Sequence, residues 1–149
     1  MVLAYSKPDH RRNPAMQPIN ASSRAAWDVT DLQADPRWIV SLDDTARRAL
    51  VAMIKLARDP EKTPFDYQRD DFDLGPASAL LATALQEVRE GRGFAMLRGL
   101  PREGVTPEEF ELLTWAIGLH IGVARPQGKA SQYMSAVRDA GTTYRSGRG

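Results

Sequence analysis

The chemistry open to this chain is bounded by its imidazoles, thiols and carboxylates. There are two histidines, His10 and His120, and no cysteine among 149 residues. Thiolate metal sites, Fe-S clusters, disulfides and cysteine nucleophiles are thereby excluded. A mononuclear iron site of the facial-triad kind needs two imidazoles and a carboxylate, with open positions opposite them. Its usual first half, His-X-Asp/Glu, is missing: two residues after His10 stands Arg12, and two after His120 stands Gly122. Serine chemistry fares no better, because no Gly-X-Ser-X-Gly elbow occurs.

Other clusters have simpler structural readings. Asp59, Asp66, Asp70, Asp71 and Asp73 lack the glycine and terminal glutamate of an EF-hand loop and read as a solvated acidic connection. Gly91-Arg92-Gly93 follows a helix and precedes a strand, the reverse of the dinucleotide-binding order, so it reads as a helix cap. Glu108 and Glu109 stand at a helix start, where acids favour the free amides. Arg145-Ser146-Gly147-Arg148-Gly149 has too few arginines to read as an RNA-binding tail.

Twenty basic and nineteen acidic side chains are interspersed, for a net charge of +1, so no broad field singles out nucleic acid or a membrane as partner. Neither a signal peptide nor an apolar run of about 20 residues is present, and a cytoplasmic location is expected. Length and composition suit one ordinary domain able to bury about 70% of its unfolded surface.

The elements that would position these residues follow from periodicity and capping signals. Residues 1–24, with three prolines and no period, read as a flexible N-terminal arm, and 25–149 as the folded part. Trp27, Leu32, Trp38 and Ile39 read as core anchors in an irregular segment. A helix is predicted over 43–58, capped by Ser41 with Asp44 reaching back, its stripe being Ala46, Ala49, Leu50, Met53, Ile54 and Ala57. The connection to Gly75 reads as a loop pinned by Phe65, Tyr67 and Phe72. A second helix is predicted over 76–90, with Leu80, Leu81, Ala84, Leu85 and Val88 on one side and Gly91 as a left-handed cap. A buried strand is expected over 93–98, centred on Phe94-Ala95-Met96-Leu97. Thr106, Pro107 and Glu109 form a capping box opening a third helix, 107–119, and a weaker strand is expected over 133–138.

Taken in order, the run Gly91 to Pro101 (GRGFAMLRGLP), the helix end Trp115-Ala116-Ile117-Gly118-Leu119-His120-Ile121-Gly122, Pro126-Gln127 and Val137-Arg138-Asp139-Ala140-Gly141 resemble the lead-in of TauD/TfdA-like dioxygenases. The likeness covers roughly residues 74–145, and the stretch from Trp27 to Asp31 agrees with the longer N-terminal region of one branch. The resemblance implies an α+β fold, a helical N-terminal region joined to a few strands of an incomplete double-stranded β-helix (jelly roll). It implies Fe(II) and 2-oxoglutarate as cofactors and a small-molecule substrate for the full-length family member, whose His-X-Asp, distal histidine and cosubstrate arginine would all fall beyond Gly149. This chain is then expected to hold no cofactor and to be inactive alone, as an N-terminal fragment or truncated copy. The alternatives are a non-catalytic binding module or a subunit completed by a second chain. Gln127 and Asp139 match family positions near the cavity and are carried as candidate site neighbours. A strand built for burial and deprived of its sheet would also expose an edge through which the chain could self-associate.

Overall fold

The structure, a computed structural model, describes residues 26–126, 132–135 and 141. The expected arm, 1–24, lies outside them. In chain order the elements are α1 (Val29–Ala34), β1 (Ile39–Ser41), α2 (Asp44–Ala57), α3 (Ala77–Glu90), β2 (Met96–Arg98) and α4 (Pro107–Ile121), with single 3-10 turns at Pro36–Trp38, Pro64–Asp66 and Arg69–Asp71. Helices with two short parallel strands make this an α+β chain. It divides into two units: one holds the described residues up to Ser41 together with Ala79–Arg98, the other Leu42–Ser78 and the residues from Gly99 onward.

In the first unit the stretch expected to be irregular is ordered by its aspartates. The Asp28 side chain accepts from the amides of Thr30 and Asp31, and the Asp31 carboxylate accepts from the Asp28 amide, so both ends of a capping box are made. That supports six residues of α1, which propensity alone would not sustain. Asp35 then accepts from the Arg37 amide, and Pro36 starts the 3-10 turn. The chain enters β1, which pairs in parallel with β2: Ile39 faces Met96, Val40 faces Leu97 and Ser41 faces Arg98.

Both strands depart from expectation. Ile39–Ser41 had no strand signal because three residues cannot display a period of two. The predicted strand over 93–98 shrinks to Met96–Arg98, and it is not buried: Met96 is 44% exposed and Arg98 is exposed. Phe94 is instead an aromatic hub, its ring centroid 4.8 Å from that of Trp27 and 5.4 Å from that of Trp38. Trp27 is therefore an anchor at the surface, 44% exposed, rather than a core residue.

Gly91 is not the left-handed cap. A Cβ on Gly91 would stand 2.3 Å from Glu87 Cδ and 2.6 Å from the Glu87 carbonyl oxygen, so the glycine is required by close approach. The positive φ falls at Gly93, +85°.

In the second unit α2 is capped by Asp43, whose carboxylate accepts from the Ala46 amide at 2.7 Å. Ser41 is not the cap because it belongs to β1. Ala46, Leu50, Met53 and Ile54 form the buried stripe as expected, with Ala49 and Ala57 half-buried. Past the helix end, the Tyr67 hydroxyl accepts from the Asp59 amide and donates to the Ala57 carbonyl, which satisfies one of the orphan carbonyls of the last turn. Tyr67, Phe72 and Leu74 are buried, as a loop pinned by its aromatics requires, whereas Phe65 stays 44% exposed.

α4 opens as the sequence predicts. The Thr106 hydroxyl accepts from the Glu109 amide at 3.2 Å, and Glu109 accepts from the Thr106 amide at 2.9 Å. It runs to Ile121, two residues past the predicted end, and Gly122 is the C-cap. Leu112, Leu113, Trp115 and Ala116 are buried, with Phe110 and Ile117 flanking. Of the strand expected over 133–138, residues 132–135 show only an isolated bridge at Gln132, and 136–138 lie outside the described residues.

Candidate functional site

His120 sits in the last turn of α4 with both ring nitrogens engaged. Nε2 lies 3.1 Å from the Phe72 carbonyl oxygen, and Nδ1 is 3.5 Å from Arg69 Nε. A carbonyl can only accept and a guanidinium can only donate, so this geometry assigns the proton to Nε2 and the lone pair of Nδ1 to Arg69. A metal ion at Nδ1 would have to displace a positively charged neighbour. Among the described residues no group of three or more histidines, aspartates and glutamates could hold a metal ion. The described residues therefore do not fit an iron site. Gln127 and Asp139, the candidate site neighbours, lie outside them.

Four of the five aspartates of the acidic connection serve the backbone. Asp66 accepts from the Thr63 amide and hydroxyl, Asp71 from the Gln68 amide, Asp73 from the Gly75 amide and Asp59 from the Glu61 amide. The two bonds from Thr63 hold the Asp66 carboxyl below its ordinary pKa. These are turn-forming roles.

Arg92 of the Gly-Arg-Gly run is buried. Its Nη1 lies 3.0 Å from Glu87 Oε1, its Nη2 is 3.0 Å from Asp35 Oδ2, and Nη2 also reaches the Asp31 carbonyl at 3.5 Å. The Arg92 carbonyl accepts from Trp27 Nε1 at 3.1 Å. Asp35 is shared with Arg37, whose Nε binds Oδ1 and whose Nη2 binds Oδ2. The Arg37 hydrogen bond, with that of Arg92 added, outweighs desolvation and holds the Asp35 carboxyl far below the usual carboxylate range; Arg92 is correspondingly raised, first by Asp35. With every charge engaged, this cluster has no free valence for a ligand and serves to fasten α1 to the α3–β2 turn. Sequence reasoning missed it, although a signal existed: Glu87 continues the stripe Leu81, Ala84 at three-residue spacing, and an acid on an apolar stripe implies a buried partner.

Among the described residues, a candidate for binding is a groove in the second unit, about 880 Å³, between α2 and the segment after Gly99. It is lined by Asp44, Arg47, Arg48, Val51, Ala52 and Lys55 on the helix, and by residues 99–103 opposite. Arg47 is paired with Asp44, which lowers the Asp44 carboxyl through that hydrogen bond. The Arg102 guanidinium is held 4.3 Å over the Phe110 ring. Arg48 and Lys55 are exposed; Arg48 acts through space on the Asp44 carboxylate, and Lys55 has no ion-pair partner among the described residues. The groove can bind anionic groups over an apolar floor; it offers no nucleophile with a base.

No family model matches the chain. Over 120 residues, 80% of its length, it is 28% identical to a protein of Streptomyces rubellomurinus named FR-33289 synthase. The match spans 35% of that relative, so the chain is distantly similar to about a third of that synthase. Among the described residues no helix is long and apolar enough to cross a membrane.

Proposed function

We propose that these residues form the lead-in portion of a TauD/TfdA-like Fe(II)/2-oxoglutarate dioxygenase, a cytoplasmic oxidoreductase acting on a small molecule, and that they do not turn over substrate alone. The observation that carries this reading is the 120-residue likeness to the synthase, which agrees with the ordered run of lead-in segments from Gly91 onward. The jelly roll, whose strands pair antiparallel, would follow β1 and β2, which pair in parallel. The iron ligands and the arginine that grips the cosubstrate carboxylate would come from elsewhere, either further along the same polypeptide or from a second chain.

His120 supports the inactive reading, since both its nitrogens are committed to Phe72 and Arg69. The test is to incubate the 149-residue chain with Fe(II), ascorbate, 2-oxoglutarate and oxygen and to measure succinate against a metal-free control. No succinate above that control is expected. Stoichiometric succinate that His120→Ala abolishes would overturn the proposal. Reading the transcript beyond codon 149 separates the two routes to a complete site: a downstream His-X-Asp/Glu points to one polypeptide, and its absence to a second chain.

A further inference from the structure

We infer that the groove along α2 is a docking site for an acidic peptide segment of a partner protein. Its shape is the first argument. The lining positions run from Asp44 to Lys55 along one helix face, which at 1.5 Å per residue makes the groove about 16 Å long. A trough of that length, open along one side, matches about five residues of extended chain better than a compact small molecule, which prefers an enclosed pocket.

The charge layout is the second argument. Arg48 stands near the start of the trough, Lys55 at its end and Arg102 on the opposite wall, the last steadied by Phe110. Lys55 and Arg102 form no ion pair with a carboxylate among the described residues, and Arg48 acts on Asp44 only through space, Asp44 being already hydrogen-bonded to Arg47. Arg47 is already neutralised by Asp44. Between the cations lie Val51, Ala52, Leu100 and Pro101, an apolar floor. The occupant that satisfies this pattern carries spaced carboxylates with apolar side chains between them. A phosphodiester chain fits less well: no aromatic ring lines the trough for bases to stack on, and Asp44 and Glu103 would face its continuous negative charge.

The test uses the whole chain and a fluorescein-labelled octapeptide of alternating glutamate and leucine, read by fluorescence anisotropy. Saturable binding is expected, weakened at least fivefold by Lys55→Glu and by Arg48→Ala, and weakened by added salt as exposed ion pairs require. Neither substitution removes an observed hydrogen bond, though Arg48→Ala also removes a through-space attraction to Asp44, and circular dichroism checks that each variant keeps its helices. An alternating lysine and leucine peptide should not bind. The proposal is overturned if the acidic peptide fails to bind, if both variants bind it as the parent does, or if a single-stranded oligonucleotide or inorganic phosphate displaces it at lower concentration than unlabelled peptide.

Discussion

Arg92 and Glu87 meet at 3.0 Å with each residue only 8% exposed, which makes an ion pair five residues apart the most deeply withdrawn charged contact among the described residues. Removing Arg92 leaves the Glu87 carboxylate buried without that guanidinium, and the penalty for losing one side of a buried pair commonly exceeds what the pair itself contributes. Arg92→Met should therefore lower the denaturation midpoint more than the double substitution Arg92→Met with Glu87→Leu. A double variant less stable than Arg92→Met alone would show that the pair is not coupled as the geometry indicates.

Asp35 makes the first unit sensitive to acid. Its folded pKa is depressed below the ordinary 3.8, chiefly by the Arg37 hydrogen bond and secondly by that of Arg92. A depressed carboxylate contributes stability that is fully present above its unfolded pKa and is lost as pH falls toward the folded value. The stability difference between the parent and Asp35→Asn should be constant from pH 7 to about 5 and shrink steadily below about pH 4. Urea unfolding at a series of pH values checks this; a difference unchanged down to pH 2.5 would contradict it.

The capping box of α4 gives a local prediction. Thr106→Ala deletes the acceptor for the Glu109 amide, and a lost threonine cap costs about 1 kcal/mol. Chemical denaturation that returns less than about 0.3 kcal/mol would show that the hydroxyl is dispensable there.

Self-association is the fourth expectation. The two-stranded sheet has two outer edges among the described residues, and β2 presents Met96 at 44% exposure beside the half-buried Leu97. Light scattering of the isolated chain should show mass above that of one copy, and Met96→Lys, a charge on the edge strand, should reduce it. A monodisperse single copy at high concentration would favour the independent binding module.

The three long helices were legible because each carries its own instructions: a buried stripe in α2, small and apolar residues at Leu81 and Ala84 in α3, and a complete capping box in α4. What escaped was decided across distance. Ile39–Ser41 becomes a strand only because Met96–Arg98 lies beside it, and three residues carry no period to read. Ser41 was expected to cap α2 and lost the role to Asp43 for the same reason. Gly91 was read for its backbone freedom, whereas the Glu87 carbonyl oxygen and side chain together exclude a Cβ there. The groove was invisible because Arg48, Lys55 and Arg102 look like ordinary surface cations until the segment after Gly99 is placed opposite α2. Gln127 and Asp139, singled out by resemblance, lie outside the described residues.

The first unit is discontinuous in sequence, and this sets an order of assembly. Trp27 donates to the carbonyl of Arg92 across 65 positions, and β1 must find β2 after all of Leu42–Ser78 has been made. Closing so long a segment carries an entropic cost that the pairing recovers only at the end. During synthesis on the ribosome, Trp27, Trp38 and the β1 edge wait without their partners until residue 98 has emerged. That interval is when a newly made chain is most exposed to capture by chaperones or by other nascent copies.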